Sequence, residues 1–80
     1  MEQSQEYIFF KNKDQIGNDL FLIQEKDGKF SLSNFQKIAN NTSECVGFNT
    51  LGFLKNNITA LTPSEYYNEN NGIYVKKNII

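Results

Sequence analysis

Apolar residues in the first third of the chain recur with the period of β-strands. Residues 6–10, EYIFF, crowd aromatic side chains together, which is typical of a strand buried on both faces or at the centre of a sheet. A polar turn follows, in which Gly17 and Asn18 are expected to have positive φ. A second strand is predicted over residues 19–25, with its two leucines on one face, and an Asp-Gly turn at 26–29 ends it.

The period then changes to that of an α-helix. Its single apolar stripe consists of Leu32, Phe35, Ile38 and Ala39. Two starts fit the sequence: Ser33 followed by Gln36 forms a capping box, and Ser31 offers a rival start with a hydrophobic staple. The asparagines at 40–41 are expected to end the helix, so its length is two to three turns.

The last part of the chain returns to strands. The segment CVGFNTLGFLK, residues 45–55, predicts a hairpin in which Gly52 supplies a turn conformation. Residues 56–62 fit a strand or a loop. Thr62-Pro63-Ser64-Glu65 matches a capping box with proline at the first helical position, which predicts a short helical turn. The segment IYVKK, residues 73–77, is the closing strand.

This order of elements defines a fold class. It predicts an α+β domain in which one helix packs across an antiparallel sheet of about five strands. A chain of 80 residues is long enough for one domain, so residues 1–80 are expected to fold as a unit with residues 1–5 as a flexible tail.

Composition excludes several classes of function. The eight basic residues are all lysine and the formal net charge is −1, whereas a nucleic-acid-binding protein would have a basic, arginine-rich surface. Histidine is absent, which removes the commonest general base and transition-metal ligand. We therefore expect no nucleic-acid partner, no metal and no cofactor.

Cysteine usage and the amino terminus bear on the compartment. A single cysteine makes no internal disulfide, and the start MEQSQEYIFF has neither a basic region nor an apolar run of a signal peptide. No segment is long and apolar enough to span a membrane. A cytoplasmic or virion location is favoured over secretion. The N-x-[ST] triplets at Asn40, Asn41 and Asn57 are interpreted as chance in an asparagine-rich chain.

Motifs that could carry chemistry have plain structural alternatives. Cys45 follows Glu44, which would raise the pKa of the thiol, so a structural role is favoured over a nucleophilic one. The G-x-x-x-x-G spacing in the hairpin lacks the lysine and hydroxyl residue of a phosphate loop. Asp14, Asn18 and Asp19 lie in one turn, but their spacing does not match a calcium loop.

Two candidate sites remain open. Tyrosines and asparagines cluster near the end of the chain and suit either a recognition surface or a core tyrosine beside a loop; the candidate binding residues are Tyr66, Tyr67, Asn70 and Tyr74. Alternatively, Asp14, Asp19 and Glu65 could pair across an enzyme cleft, although their strand and turn contexts give no reason for them to meet.

The segment Ile16–Lys55 resembles a PAN/apple-type module. The resemblance rests on GND at 17–19, on the serine-capped helix SNFQKIANN, and above all on the string C-V-G-F-N-T-L-G-F-L-K. The resemblance implies a small α+β scaffold without enzymatic activity that binds proteins or carbohydrates. Secreted members pin the helix to the sheet with disulfides, whereas this helix has Phe35, Ile38 and Ala39 where cysteines would be expected.

These observations favour a non-enzymatic module for protein–protein contacts, for example a structural or decorating component of a virion. The alternative is a carbohydrate-binding, lectin-like module that uses Tyr66, Tyr67 and Tyr74 as its platform. An enzyme is the least favoured of the three interpretations.

Overall fold

The computed structural model describes residues 6–23, 31–63 and 71–77. The elements in chain order are β1 (Tyr7–Lys11), β2 (Lys13–Asp14), β3 (Asp19–Leu22), α1 (Leu32–Asn40), β4 (Gly47–Asn49), β5 (Phe53–Lys55), β6 (Thr62–Pro63) and β7 (Gly72–Lys76).

The strands form two antiparallel sheets. The larger sheet has five strands in the order β1-β7-β4-β5-β3, and β2 pairs with β6 in a separate two-stranded ribbon. The helix packs on one face of the larger sheet, so the predicted α+β class is confirmed. The predicted hairpin is β4–β5, and β4 is the central strand of the sheet.

Ser31, the second of the two predicted starts, caps the helix. Its Oγ accepts a hydrogen bond from the Asn34 backbone N–H at 3.4 Å, and its carbonyl accepts one from the Phe35 N–H at 2.9 Å. Ser33 lies inside the first turn, so the capping box predicted at that residue is not the helix start. Asn41 is the C-cap, as the asparagine pair predicted.

The helix side of the sheet is an apolar core. Its buried members are Phe35, Ala39, Cys45, Phe48 and Leu54. The Phe48 ring is central: its centroid lies 5.7 Å from that of Phe35, 5.2 Å from that of Tyr74 and 5.4 Å from that of Tyr7. Such tilted and offset pairs stabilise beyond the area they bury. Leu32 of the predicted stripe is exposed instead.

Two glycines allow the hairpin to fit into this sheet. A Cβ on Gly47 would lie 2.4 Å from the carbonyl oxygen of Tyr74 on the neighbouring strand, so only glycine permits this close approach of β4 and β7. Gly52 has φ of +108° in the turn between β4 and β5, which confirms its predicted role.

The opposite face of the sheet is covered by the β2–β6 ribbon. Paired residues share a face and alternate residues along a strand return to it, which places Asn49, Lys55, Ile73 and Val75 on this side. Ile73 and Val75 are fully buried. The ribbon reaches the sheet through Asp14, which contacts Asn49. The sheet is therefore covered on both sides, by a helix on one and by a ribbon on the other.

The first two predicted strands differ from the structure. The first is an edge strand, paired only with β7, and Ile8 and Phe9 on it are exposed. In β3 the register shifts between Asp19 and Phe21, and this bulge breaks the predicted alternation. As a result Leu20 packs against the core while Leu22 is exposed.

The strands β2 and β6 were not predicted as such, because two-residue strands carry no periodic pattern. Pro63 lies in β6 and not at a helix start, and it occupies the edge of a ribbon, where the missing N–H costs no ladder bond. The predicted tail at 1–5, the turn at 26–29 and most of the helical turn after Pro63 lie outside the described residues. Gly17 and Asn18 have positive φ as predicted.

Candidate functional site

A cleft of about 240 Å³ opens between the polar face of the sheet and the β2–β6 ribbon. We call it the ribbon cleft. Its lining residues are Asp14, Gln15, Ile16, Gly17, Asp19, Asn49, Leu51, Phe53, Lys55, Thr62 and Pro63.

Asp14 is the carboxylate at the end of β2 in this lining. Its Oδ1 accepts hydrogen bonds from the Gln15 backbone N–H at 2.8 Å and from the Asn49 side-chain amide at 3.2 Å. Among the described residues no donor contacts Oδ2. The carboxylate is thus fixed through one oxygen, and the other can accept a hydrogen bond from a ligand.

Asn49 can orient Asp14 because the orientation of its own side-chain amide is fixed. The buried Oδ1 of Asn49 accepts from the backbone N–H groups of Leu51 at 3.1 Å and Phe53 at 2.9 Å, across the β4–β5 turn. Only the amide oxygen can make those two bonds, so the NH₂ group must face Asp14. The hairpin turn and the orientation of the carboxylate therefore depend on one side chain.

Gln15 attaches the ribbon to the loop before β6. Its buried side-chain oxygen accepts from the backbone N–H of Thr59 at 2.7 Å and of Ala60 at 3.2 Å, and its amide donates to the Ile16 carbonyl at 2.7 Å. A buried amide with its hydrogen bonds formed is stable, whereas an unpaired one would be costly. Gln15 therefore has a positioning role on the floor of the cleft.

Lys55 and Asp19 form an ion pair at the other side of the cleft. The side chain of Lys55 is 4% exposed and that of Asp19 is 42% exposed. The ammonium also donates to the Gly17 carbonyl at 3.1 Å and lies 5.6 Å from the centroid of the Phe53 ring. Its charge is compensated by Asp19, and its donors hold the turn at residues 17–19 in place.

The remaining lining is apolar and open to solvent. Ile16 is 71% exposed and Leu51 is 45% exposed, while Phe53 is half-buried. Exposed aliphatic side chains beside fixed polar groups are typical of small-molecule sites, where the apolar surface gives affinity and the polar groups give orientation.

The carboxylates of the ribbon cleft do not form a metal site. Within residues 6–23, 31–63 and 71–77, no three potential ligands among His, Cys, Asp and Glu lie close enough to hold a metal ion. The cleft can instead accept and donate hydrogen bonds, and Asp14 can serve as a base.

The sequence-predicted site residues fall in different places. Tyr74 lies on the helix side. Its ring centroid is 5.2 Å from that of Phe48, on which it stacks, and 4.5 Å from that of Phe9. Tyr66, Tyr67 and Asn70 lie outside the described residues. Asp14 and Asp19 of the candidate carboxylate set both line the ribbon cleft, where Asp19 is paired with Lys55. Their proposed third member, Glu65, lies outside the described part of the chain.

Cys45 is buried on the helix side, as its structural interpretation predicted. Its thiol donates to the Gly47 carbonyl with an Sγ–O distance of 3.1 Å. Burial raises the pKa of the Cys45 thiol, which keeps it in the unreactive protonated form.

Sequence reasoning missed the three residues that build the cleft floor: Gln15, Asn49 and Lys55. A signal existed for Asn49, because an asparagine at a strand end before a tight turn is typical of side-chain bonding to the turn backbone. No local signal marks Gln15 or Lys55, since their partners are distant in sequence.

A search for helices able to cross the bilayer, made over the described residues, finds none of sufficient length and apolar character.

Comparison with known proteins finds two relatives in Acanthamoeba polyphaga mimivirus. The chain is 36% identical over 80 residues to "Putative glycosyltransferase R655", and the match takes in 94% of this chain and 23% of that protein. It is 34% identical over 77 residues to "Putative fucosyltransferase R654", with 90% of this chain and 12% of that protein matched. The chain thus spans less than a quarter of either relative.

No family model matches the chain, and no solved structure matches it. The resemblance to PAN/apple modules therefore stays a prediction.

The two relatives overturn the functional expectation drawn from the sequence. Both are named as transferases, which are enzymes, so the non-enzymatic interaction module, its structural or virion role and its lectin-like alternative are wrong. The expectation rested on the absence of histidine and of a reactive cysteine. That absence removes common catalytic groups but does not exclude catalysis by carboxylates.

Proposed function

We propose that this protein acts in glycosyl transfer and that the ribbon cleft belongs to its substrate site. The observation that carries the proposal is the extent of the two matches. They take in 94% and 90% of this chain, although one relative is named a glycosyltransferase and the other a fucosyltransferase, and 23% and 12% of their lengths are matched. A unit common to both is best explained by the activity common to both names, the transfer of a sugar.

The chemistry of glycosyl transfer suits the residues of the cleft. An acceptor hydroxyl oxygen forms a bond to the anomeric carbon of the donor sugar. The bond from that carbon to the leaving group breaks, the electron pair stays on the leaving group, and the hydroxyl proton passes to a base. Asp14 is the candidate base, because its carboxylate is oriented by Asn49 and its Oδ2 has no donor among the described residues.

The test is an activity assay on the full-length gene product. GDP- and UDP-linked sugars are offered with and without methyl glycosides as acceptors, and release of nucleoside diphosphate is measured. We expect release that depends on the acceptor. Asp14→Asn keeps an oxygen for both existing hydrogen bonds but removes the base, so kcat should fall by about 100-fold or more.

The matched control is Glu44→Gln, which removes one carboxylate charge at an exposed residue that does not line the cleft. It should leave kcat unchanged. If the folded wild-type protein releases no nucleoside diphosphate with any pair, glycosyl transfer is the wrong function. If transfer occurs and Asp14→Asn is as active as the wild type, the activity stands and the role of Asp14 is wrong.

A further inference from the structure

We infer that the ribbon cleft takes a neutral sugar acceptor of one ring and does not take the phosphates of a nucleotide-sugar donor. This inference rests on the proposed function and names the substrate class of that site. It follows from the charge, the size and the two kinds of surface in the cleft.

The charge of the cleft disfavours an anion. Its described charged residues are Asp14, Asp19 and Lys55, which leaves one uncompensated negative charge at neutral pH. Lys55 is the only cation among them, and it is already paired with Asp19 and bonded to the Gly17 carbonyl. A diphosphate would face the Asp14 carboxylate and could bind Lys55 only by displacing Asp19. A neutral polyol meets no such repulsion.

The hydrogen-bonding capacity of the lining points the same way. The side-chain donors of the lining already have acceptors: Asn49 donates to Asp14, Lys55 to Asp19 and the Gly17 carbonyl, and Thr62 to the Asp14 carbonyl. The carboxylates of Asp14 and Asp19 are acceptors in the same lining. A sugar hydroxyl can donate to such groups, and a carboxylate that accepts from a hydroxyl forms a strong, charge-assisted bond. A phosphate has only acceptor oxygens at neutral pH and cannot bond to them.

The volume of the cleft matches about one sugar ring. Pockets for ligands of drug size measure roughly 300–1,000 Å³. The ribbon cleft, at about 240 Å³, lies below that range. A nucleotide sugar contains a base, a ribose, two phosphates and a sugar, so most of it would lie outside this volume.

The two kinds of surface match the two sides of a pyranose. A sugar ring has an apolar C–H face and a rim of hydroxyls, and aromatic or aliphatic side chains commonly contact the former. Phe53, Leu51 and Ile16 supply apolar surface on the same cleft whose polar group is Asp14. The lining therefore provides a partner for each side of the ring.

The test is a binding titration followed by amide chemical shifts, which needs no turnover. Methyl glycosides of glucose and of galactose are the neutral probes, and GDP and UDP are the anionic ones. We expect the glycosides to shift the amides of Ile16, Gly17 and Leu51, with a dissociation constant on the order of 1 mM for so small a ligand. GDP and UDP should leave these amides unmoved.

Variants sharpen the titration. Asp14→Asn should weaken glycoside binding by about tenfold, since a hydrogen bond to a charged group is lost. Glu44→Gln should bind as the wild type does. Shifts caused by the neutral glycosides at these amides, lost in Asp14→Asn alone, would support the inference.

The outcomes separate this inference from the proposed function. If the protein transfers sugar but GDP or UDP moves the cleft amides and the glycosides do not, the cleft is a donor site and the inference is overturned while the activity stands. If the glycosides move these amides but no sugar is transferred in the activity assay, the ligand class stands and glycosyl transfer is wrong. If none of the probes moves them, the inference fails whatever the activity assay gives.

Discussion

The two faces of the five-stranded sheet are covered in different ways. On the helix side the core cluster is apolar, and Phe48 contacts the rings of Phe35, Tyr74 and Tyr7. On the ribbon side, buried polar residues, Asn49 and Lys55 among them, make specific hydrogen bonds around a cleft. The ribbon side also buries Ile73 and Val75, so its distinguishing feature is the set of buried polar pairs around the cleft.

This difference indicates that the apolar core of the helix side serves stability and that the polar pairs of the ribbon side serve the site. Burial of apolar area stabilises without regard to direction, whereas buried polar groups stabilise little and are costly when unpaired. A chain of 80 residues has a small core, so buried amides and an ion pair are a burden on its stability. Their retention around the ribbon cleft is what a binding or catalytic site requires.

The largest expected effect is on the helix face. Phe48→Ala should lower the free energy of unfolding by about 3–5 kcal/mol, because it empties the centre of the aromatic cluster. The control is Phe21→Ala, since Phe21 is 45% exposed whereas Phe48 is 0% exposed. The control should cost about 1 kcal/mol or less. Urea unfolding measures both, and equal losses would contradict the central place of Phe48 in the buried cluster.

The close contact between β4 and β7 should be the next most sensitive part of the fold. Gly47→Ala places a Cβ 2.4 Å from the Tyr74 carbonyl oxygen, so β4 and β7 must separate. A loss of about 1–3 kcal/mol is expected in thermal or urea unfolding. Gly17→Asn is the control: nothing lies within 4 Å of a Cβ there, and asparagine tolerates its positive φ. A harmless Gly47→Ala would mean that the strands are not so close.

On the ribbon face, Asn49→Ala should affect stability and the site together. It leaves the N–H groups of Leu51 and Phe53 without their acceptor and Asp14 without its donor, at a cost of about 1–3 kcal/mol. Asn56→Ala, at an exposed asparagine, should cost a few tenths of that. If Asn49 positions Asp14, glycoside affinity in the folded Asn49→Ala variant drops, whereas Asn56→Ala binds normally. Unchanged affinity would show a purely structural role.

The smallest expected effect concerns Tyr7 at the edge of the helix face. Burial, with a lesser contribution from Cys45, raises the pKa of Tyr7 from 10.0 to about 12. The folded state thus binds this proton more tightly than the unfolded state does. The resulting stability is complete below pH 10 and is lost as the pH rises towards 12.

The measurement is an ultraviolet titration of the wild type and of Tyr7→Phe. The difference between the two curves should report a phenol that ionises near pH 12. The variant also lacks the hydrogen bond from the Tyr7 hydroxyl to Asn40 Oδ1, of 2.6 Å, and should lose about 1 kcal/mol or less. A difference curve centred near pH 10 would mean that Tyr7 is exposed.

Local features of the fold were predictable where they depend on neighbouring residues. The helix, its end at Asn41, the hairpin and the closing strand all follow from apolar period and from turn or cap residues. Predictions failed where the structure depends on pairing with a distant part of the chain. The aromatic run at residues 7–10 suits a central strand, yet β1 is an edge strand because only β7 pairs with it.

The sequence predicted individual residues of the candidate site but not that they lie together. Asp14 and Asp19 stand out in the sequence as carboxylates, but the sequence gives no reason for them to share a cleft with Lys55. Asp14 meets Asn49 across 35 positions of the chain, Lys55 meets Asp19 across 36 and Gln15 meets Ala60 across 45. Such pairs form only when particular strands become neighbours.

The sequence by itself determined the kind and approximate place of most elements, the α+β class and the buried, inert character of Cys45. These depend on periodicity, on composition and on interactions within a few residues. The tertiary structure alone decided the strand order, the ribbon and the cleft, because pairing between distant strands fixes which side chains share a face. The groups that we assign to sugar transfer are brought together at that level.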